Sequence, residues 1–278
     1  PATNSTTPEY TVPTGAYYAI INYIATEASN IQIKIIPQST TSYRLRKECI
    51  YPPLSESANG YFGKKWVSFG DSITFQELWQ PYIISEYGIN HINLGIGSTC
   101  MINAGSTPMC STARIDAIKA ESPDIVTILA GANDLVYSEG GTFAVTGAGI
   151  GDATEFAKAL ESKDLLKFYG AYSFVIETLL AWKPTLRIII LGTTWAHADG
   201  TAYNTLITYT DFSNASRAIA QYYGLPFVDL HGESGFNKLT IGNAPYNIYS
   251  DDNIHPNTAG AKRIAEIVIG RMRQIMPI

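Results

Sequence analysis

At 278 residues the chain is long enough to bury a large core, as one α/β domain or one domain with a small appendage, and its 46% apolar and 15% charged content is that of a globular protein, not a disordered one. A formal net charge of −5 offers no basic stripe to neutralise phosphates, which argues against a nucleic-acid partner. No apolar stretch reaches the roughly 18–20 residues of a membrane span.

Pro1-Ala2-Thr3-Asn4 shows neither the basic start nor the apolar run of a signal peptide. A chain that begins with Pro is expected to be a processed product or an excised piece. Residues 1–58 are rich in Thr, Ser, Pro, Tyr and Ile, and Tyr17–Ile24 and Ile31–Ile36 read as strands. Two or three strands make a poor independent core. This segment is therefore expected to be the end of a larger β-domain or an arm packed on the main body, joined near Pro52-Pro53 and Ser55–Ser57 to a second domain spanning 59–278.

From Trp66 onward strands and helices alternate. Strands are expected near 66–70, 91–96, 124–130, 187–192 and 226–230, and helices near 76–87, 112–120, 164–182, 204–223 and 258–275. The third and fourth strands are apolar on nearly consecutive positions (Ile125-Val126-Thr127-Ile128-Leu129; Ile188-Ile189-Ile190-Leu191). Such runs suit central parallel strands covered on both faces. Gly224 closes the fourth helix just before Pro226. The Gly-rich stretch 139–152 reads as a long loop. The alternation implies a doubly wound parallel sheet of about five strands with right-handed crossovers, and ligands bind such sheets at the carboxyl ends of the strands.

Every polar residue of chemical interest falls just after one of these strands. Ser72 follows the first, Gly95-Ile96-Gly97-Ser98 the second, Gly131-Ala132-Asn133-Asp134 the third, and Asp252 and His255 lie between the fifth strand and the last helix. In a parallel sheet these loops share one edge. A serine hydroxyl is a weak nucleophile and needs an imidazole to take its proton, for which His255 is the candidate. A carboxylate at the other ring nitrogen fixes the tautomer, and Asp252, three residues earlier, can reach back in a turn. Pro256 is expected in the first turn of the following helix. The Ser72 N–H, an N–H at Gly97 or Ser98 and the Asn133 amide can supply an oxyanion hole.

Any one of these pieces alone has a plainer reading: Gly-x-Ser is common, and Asn-Asp after a strand is usually a turn or a helix cap. Their joint placement in the order Ser, Asp, His carries the inference. Asp71 and Asp134 are expected to shape their loops. Trp195 and His197, after the fourth strand, are candidate substrate contacts. His91 reads as structural, and His231 is a weak rival base. Cys100 and Cys110 can bridge in an oxidising compartment or remain free thiols beside Cys49, and no Cys or His spacing suggests zinc.

With these residues in view the chain resembles the SGNH, or GDSL-type, hydrolases. The similarity lies in Gly70-Asp71-Ser72-Ile73-Thr74, Gly131-Ala132-Asn133-Asp134 and Asp252-Asn253-Ile254-His255-Pro256, and covers about residues 64–275. The block Asn93-Leu94-Gly95-Ile96-Gly97-Ser98 departs from the pattern, because the family often places its glycine where Ser98 stands. Gly97 is taken as the oxyanion glycine, with Ser98 the alternative. The resemblance implies a flavodoxin-like three-layer α/β/α sheet and an esterase without metal or cofactor. It carries Ser72, Asp252 and His255 over as catalytic, with Gly97 and Asn133 as oxyanion donors.

More loosely, Tyr10–Tyr17 resembles the closing strands of β-sandwich modules in phage tail and cell-surface proteins. That similarity implies an enzyme at a virion or cell surface, part of a larger protein or a homo-oligomer, removing O-acetyl groups from a polysaccharide. The eighteen tyrosines suit such a hydroxyl-rich ligand, or simply core and strand positions. The rival readings are a hydrolase of longer acyl esters or thioesters and a glycan-binding module without activity.

Overall fold

The computed structural model describes residues 60–195, 204–242, 245 and 247–275. The expected strands of the N-terminal segment, its boundary near residue 58, Cys49 and His197 lie outside the described residues.

Five parallel strands form one sheet in the order β2-β1-β3-β4-β5. They are β1 (Lys65–Gly70), β2 (Asn90–Gly95), β3 (Ile125–Leu129), β4 (Arg187–Leu191) and β5 (Phe227–Val228). Gly70 pairs with Gly95 on one side and Leu129 on the other, so the first three strands end level with one another. The chain leaves β1 for β2 and then returns past β1 to β3, which places a topological switch point between the loops that follow β1 and β3.

The helices are α1 (Ser72–Phe75), α2 (Gln80–Tyr87), α3 (Thr112–Glu121), α4 (Ala132–Tyr137), α5 (Phe168–Trp182), α6 (Tyr209–Tyr222), α7 (Leu230–Glu233) and α8 (Thr258–Gln274). Side chains alternate across the sheet with the period of two that strands impose. Val67, Phe69, Val126, Ile128, Ile188 and Ile190 pack with α3, α5 and α6 through Ile115, Ile118, Tyr172, Val175, Phe212 and Ile219. Trp66, Ile125, Leu129, Ile189 and Leu191 pack on the opposite face with α2 and α8 through Ile83, Tyr87, Ile264 and Val268. Burying both faces makes the three α/β/α layers, and each fully buried aliphatic or aromatic side chain contributes roughly 1.5–3 kcal/mol.

Several ends move inward from the expected positions for local reasons. β5 has only two residues because the Asp229 side chain accepts from Gly232 N and caps α7. α6 begins at Tyr209 because Thr208 caps it, its hydroxyl and the Asp211 carboxylate bonding reciprocally. Pro256 does not start α8: it lies before the cap residue Asn257, whose Oδ1 accepts from Ala259 N and Gly260 N. Among the described residues no helix is long and apolar enough to cross a membrane.

Candidate active site

Ser72 opens α1, a single turn directly after β1. Asp71 caps the turn: its Oδ1 accepts from Ile73 N at 2.9 Å. Gly70 has no room for a side chain, since a Cβ there would sit 2.3 Å from Thr74 Oγ1 and 2.8 Å from the Leu129 carbonyl. The turn therefore lies tight against the sheet edge with Ser72 part-exposed at its start.

The loop before α8 reaches this serine. His255 Nε2 lies 2.8 Å from Ser72 Oγ, and His255 Nδ1 lies 2.7 Å from Asp252 Oδ2. An ionised carboxylate only accepts, so Nδ1 carries the proton and Nε2 is left to accept from the serine hydroxyl. The second Asp252 oxygen accepts from His255 N at 2.7 Å and Ile254 N at 2.9 Å, and Ser250 Oγ lies 3.3 Å away. Burial pushes Asp252 upward, but the hydrogen bonds from the His255 ring and from these two backbone N–H groups outweigh it and hold the carboxyl at about 2. An imidazole held this way can take the proton of a hydroxyl that attacks a carbonyl carbon.

Gly97 and Ser98 are exposed on the loop after β2. That loop is tied to the end of β1, where Ile96 N donates to Gly70 O at 3.0 Å, and it is braced internally by Thr99 Oγ1, which donates to Ile96 O at 3.1 Å. Asn133, in the first turn of α4, donates through Nδ2 to Thr99 O at 2.9 Å, which leaves the second hydrogen of its amide unused by that bond. Gly97 needs no special φ and a Cβ there would meet open space, so packing does not require the glycine. Ser98, where the family pattern often has glycine, takes a φ of +61° in the left-handed region.

Two buried carboxylates support the loops. Asp134 accepts from Met101 N, Ile102 N and Gly131 N. Burial pushes it up to about 6 against the pull of those donors. Burial pushes Asp71 up to about 7, the charge of Asp134 adding to the rise while the Ile73 N–H and His255 oppose it. Sequence reasoning missed Arg114. From α3 it donates to Leu94 O at 2.8 Å and Gly70 O at 3.3 Å, beneath the loops that carry Gly97 and Ser72. Its signal was a cation on the apolar stripe of Ile115 and Ile118.

Trp195 is half-buried and stacks on His231, with ring centroids 5.8 Å apart. His231 Nε2 lies 3.0 Å from Thr210 Oγ1, so this histidine is engaged away from the Ser72 line. Cys100 and Cys110 are buried and free, their thiols pushed up by burial, Cys110 to about 12. Among the described residues no group of three or more His, Cys, Asp or Glu stands where it could hold a metal ion.

The family model of the GDSL-like lipases and acylhydrolases matches residues 68–263. The chain belongs to this family. It is 26% identical over 198 residues to an acetylxylan esterase of Xylanibacter ruminicola, a match that takes in 65% of this chain but only 35% of that relative's length. Its fold is shared with a protein from Lactobacillus plantarum (23% identity, TM-score 0.62), covering 77% of this GDSL-type chain and 99% of the other. A lipase/acylhydrolase from Enterococcus faecalis is similar at 17% identity and a TM-score of 0.51, with 77% and 98% covered. An acetylxylan esterase from Geobacillus stearothermophilus, solved as a catalytic mutant, is similar at 17% identity and a TM-score of 0.50, with 76% and 94% covered.

Proposed function

We propose that this esterase removes O-acetyl groups from a polysaccharide by a serine mechanism. The observation that carries it is the continuous line from Ser72 Oγ through His255 to Asp252, at 2.8 and 2.7 Å. Ser72 Oγ attacks the acetyl carbon as its proton passes to His255 Nε2. The tetrahedral oxyanion accepts from the N–H groups of Ser72 and Gly97 and from the Asn133 amide, each such donor lowering the barrier by roughly 2.7–4 kcal/mol. The bond from the acyl carbon to the sugar oxygen then breaks, and His255 returns the proton to the leaving alcohol. Water, deprotonated by His255, cleaves the acetyl-serine and releases acetate. Asp252 holds the imidazole in register throughout and stabilises its charged form. The acetyl specificity is supported by the similarity to an acetylxylan esterase, and Trp195 offers an aromatic wall after β4 for a sugar ring.

A second reading, hydrolysis of longer acyl esters, is favoured by the exposure of Phe75 and Ile96, 62% and 40%, beside the Ser72 turn. One set of measurements tests both. Ser72→Ala is expected to cut turnover of nitrophenyl acetate by at least about a thousandfold with an unchanged circular dichroism spectrum. Retained turnover would sink the serine mechanism. Across nitrophenyl esters of increasing length, kcat/KM is expected to fall steeply beyond propionate, with acetate released from O-acetylated polysaccharide. A rate that climbs toward octanoate would replace deacetylation with the second reading.

A further inference from the structure

Behind the serine turn runs another line of polar contacts that the chemistry above leaves unused. Ser68 is fully buried on β1, and its Oγ lies 2.8 Å from His91 Nε2 on β2. His91 Nδ1 lies 3.2 Å from Glu77 Oε1; the histidine side chain is 3% exposed and the glutamate side chain 49%. The imidazole packs on the Trp66 indole with ring centroids 4.4 Å apart. Gln80 Nε2 reaches Ser68 Oγ at 3.4 Å and donates to Thr74 O at 2.7 Å, two residues after Ser72. Asn93 Nδ2 donates to the same carbonyl at 3.0 Å.

With a neutral imidazole the hydrogens have one arrangement. Glu77 only accepts, so His91 Nδ1 carries the proton and Nε2 must accept. Ser68 is then the donor to Nε2, and its lone pair is left for the Gln80 amide. Burial holds His91 below the usual histidine range, against the pull of Glu77, so the neutral ring is the one being oriented. Ser68 is sealed from solvent, so this Ser-His-Glu order is not a second hydrolytic centre. Glu77 itself adopts a left-handed φ of +56° in the connector between α1 and α2, where its backbone N–H donates to Thr74 O at 3.2 Å.

We propose that Glu77, His91, Ser68 and Gln80 are positioning residues for the nucleophile. The surface carboxylate fixes the His91 tautomer, and the line passes that orientation to the Thr74 carbonyl and so to the turn that presents Ser72 Oγ to His255. This rests on the reading of Ser72 as the nucleophile. A small displacement of a reacting group lowers the chemical step far more than it lowers binding.

The test is the rate at which a fluorophosphonate labels Ser72, read by mass spectrometry, beside kcat and KM for nitrophenyl acetate. Glu77→Ala removes a half-exposed side chain and is expected to lower both kcat and the labelling rate roughly tenfold while KM stays within about twofold. Glu77→Gln keeps an acceptor oxygen for Nδ1 and is expected to recover most of the rate. Wild-type kcat and labelling in Glu77→Ala would overturn the proposal, as would Glu77→Gln being as slow as Glu77→Ala. Nitrogen NMR shifts of His91 in the unaltered protein give an independent reading: Nδ1 protonation supports the line and Nε2 protonation overturns it. A wild-type protein that fails to label at Ser72 at all strikes the nucleophile assignment instead, so the two failures are told apart.

Discussion

Ser98 occupies a left-handed backbone conformation that an L-residue adopts at a cost of about 1–2 kcal/mol. Its N–H and that of Gly97 lie on the same exposed loop, pinned at Ile96 to Gly70 and at Thr99 to Asn133. Relieving the strain should leave that scaffold intact. Ser98→Gly is expected to raise stability by roughly 0.5–1 kcal/mol, the relief being partly offset by the greater chain entropy of glycine, with turnover within about twofold. Urea unfolding and nitrophenyl acetate kinetics check this. A large loss of activity would mean that the Ser98 side chain itself contributes to the site.

At the scale of elements the narrow join between α1 and β2 is decisive. A Cβ on Gly95 would stand 2.4 Å from Phe75 N and 2.7 Å from the Thr74 carbonyl carbon, both backbone atoms that cannot rotate away. Gly95→Ala must push the serine turn off the sheet edge. It is expected to destabilise by about 1–3 kcal/mol and to lower kcat by a larger factor than the stability loss explains, measured by thermal melting beside turnover. The strands themselves were legible in the sequence because Ile125–Leu129 and Ile188–Leu191 are apolar on successive positions, as burial on both faces demands. Helix starts were less legible. Asn204 lies in what reads as the beginning of α6, but its side chain is taken by the carbonyls of Leu135 and Glu139 and by the N–H groups of Leu206 and Ile207. That is a tertiary demand no local pattern announces.

For the molecule as a whole, its buried and exposed carboxylates give opposite slopes of stability with pH. Asp71 and Asp134 rise to about 7 and about 6 from an unfolded value near 3.9. Between about pH 4 and 7 the folded chain therefore keeps protons that the unfolded chain has released, and stability falls as pH rises through that window. Asp252, held at about 2, acts the other way: its contribution is present above about pH 4 and is lost as pH falls toward 2. Melting temperature is expected to peak in mildly acidic buffer and to decline toward pH 8, with Asp71→Asn flattening the upper limb. A melting temperature that does not change between pH 5 and 8 would contradict this. The placement of Ser72, Asn133, Asp252 and His255 at one sheet edge could be read from their positions after successive strands. Arg114 and the Ser68–His91 line could not, because they depend on which residues the β1–β2 register sets on the same face.

The loop that carries Asp252 and His255 is closed at its neck. Ser250 bridges to Pro256, and Asn257 N donates to Tyr249 O at 2.9 Å, so only five residues project beyond the join. Within them one carboxylate both folds the loop, through two backbone N–H groups, and orients the imidazole. The His255–Asp252 pair is thus a self-contained cassette, shaped by its own hydrogen bonds rather than by the sheet it faces. Inheritance can then vary the neighbouring walls without disturbing the spacing between the imidazole and its carboxylate.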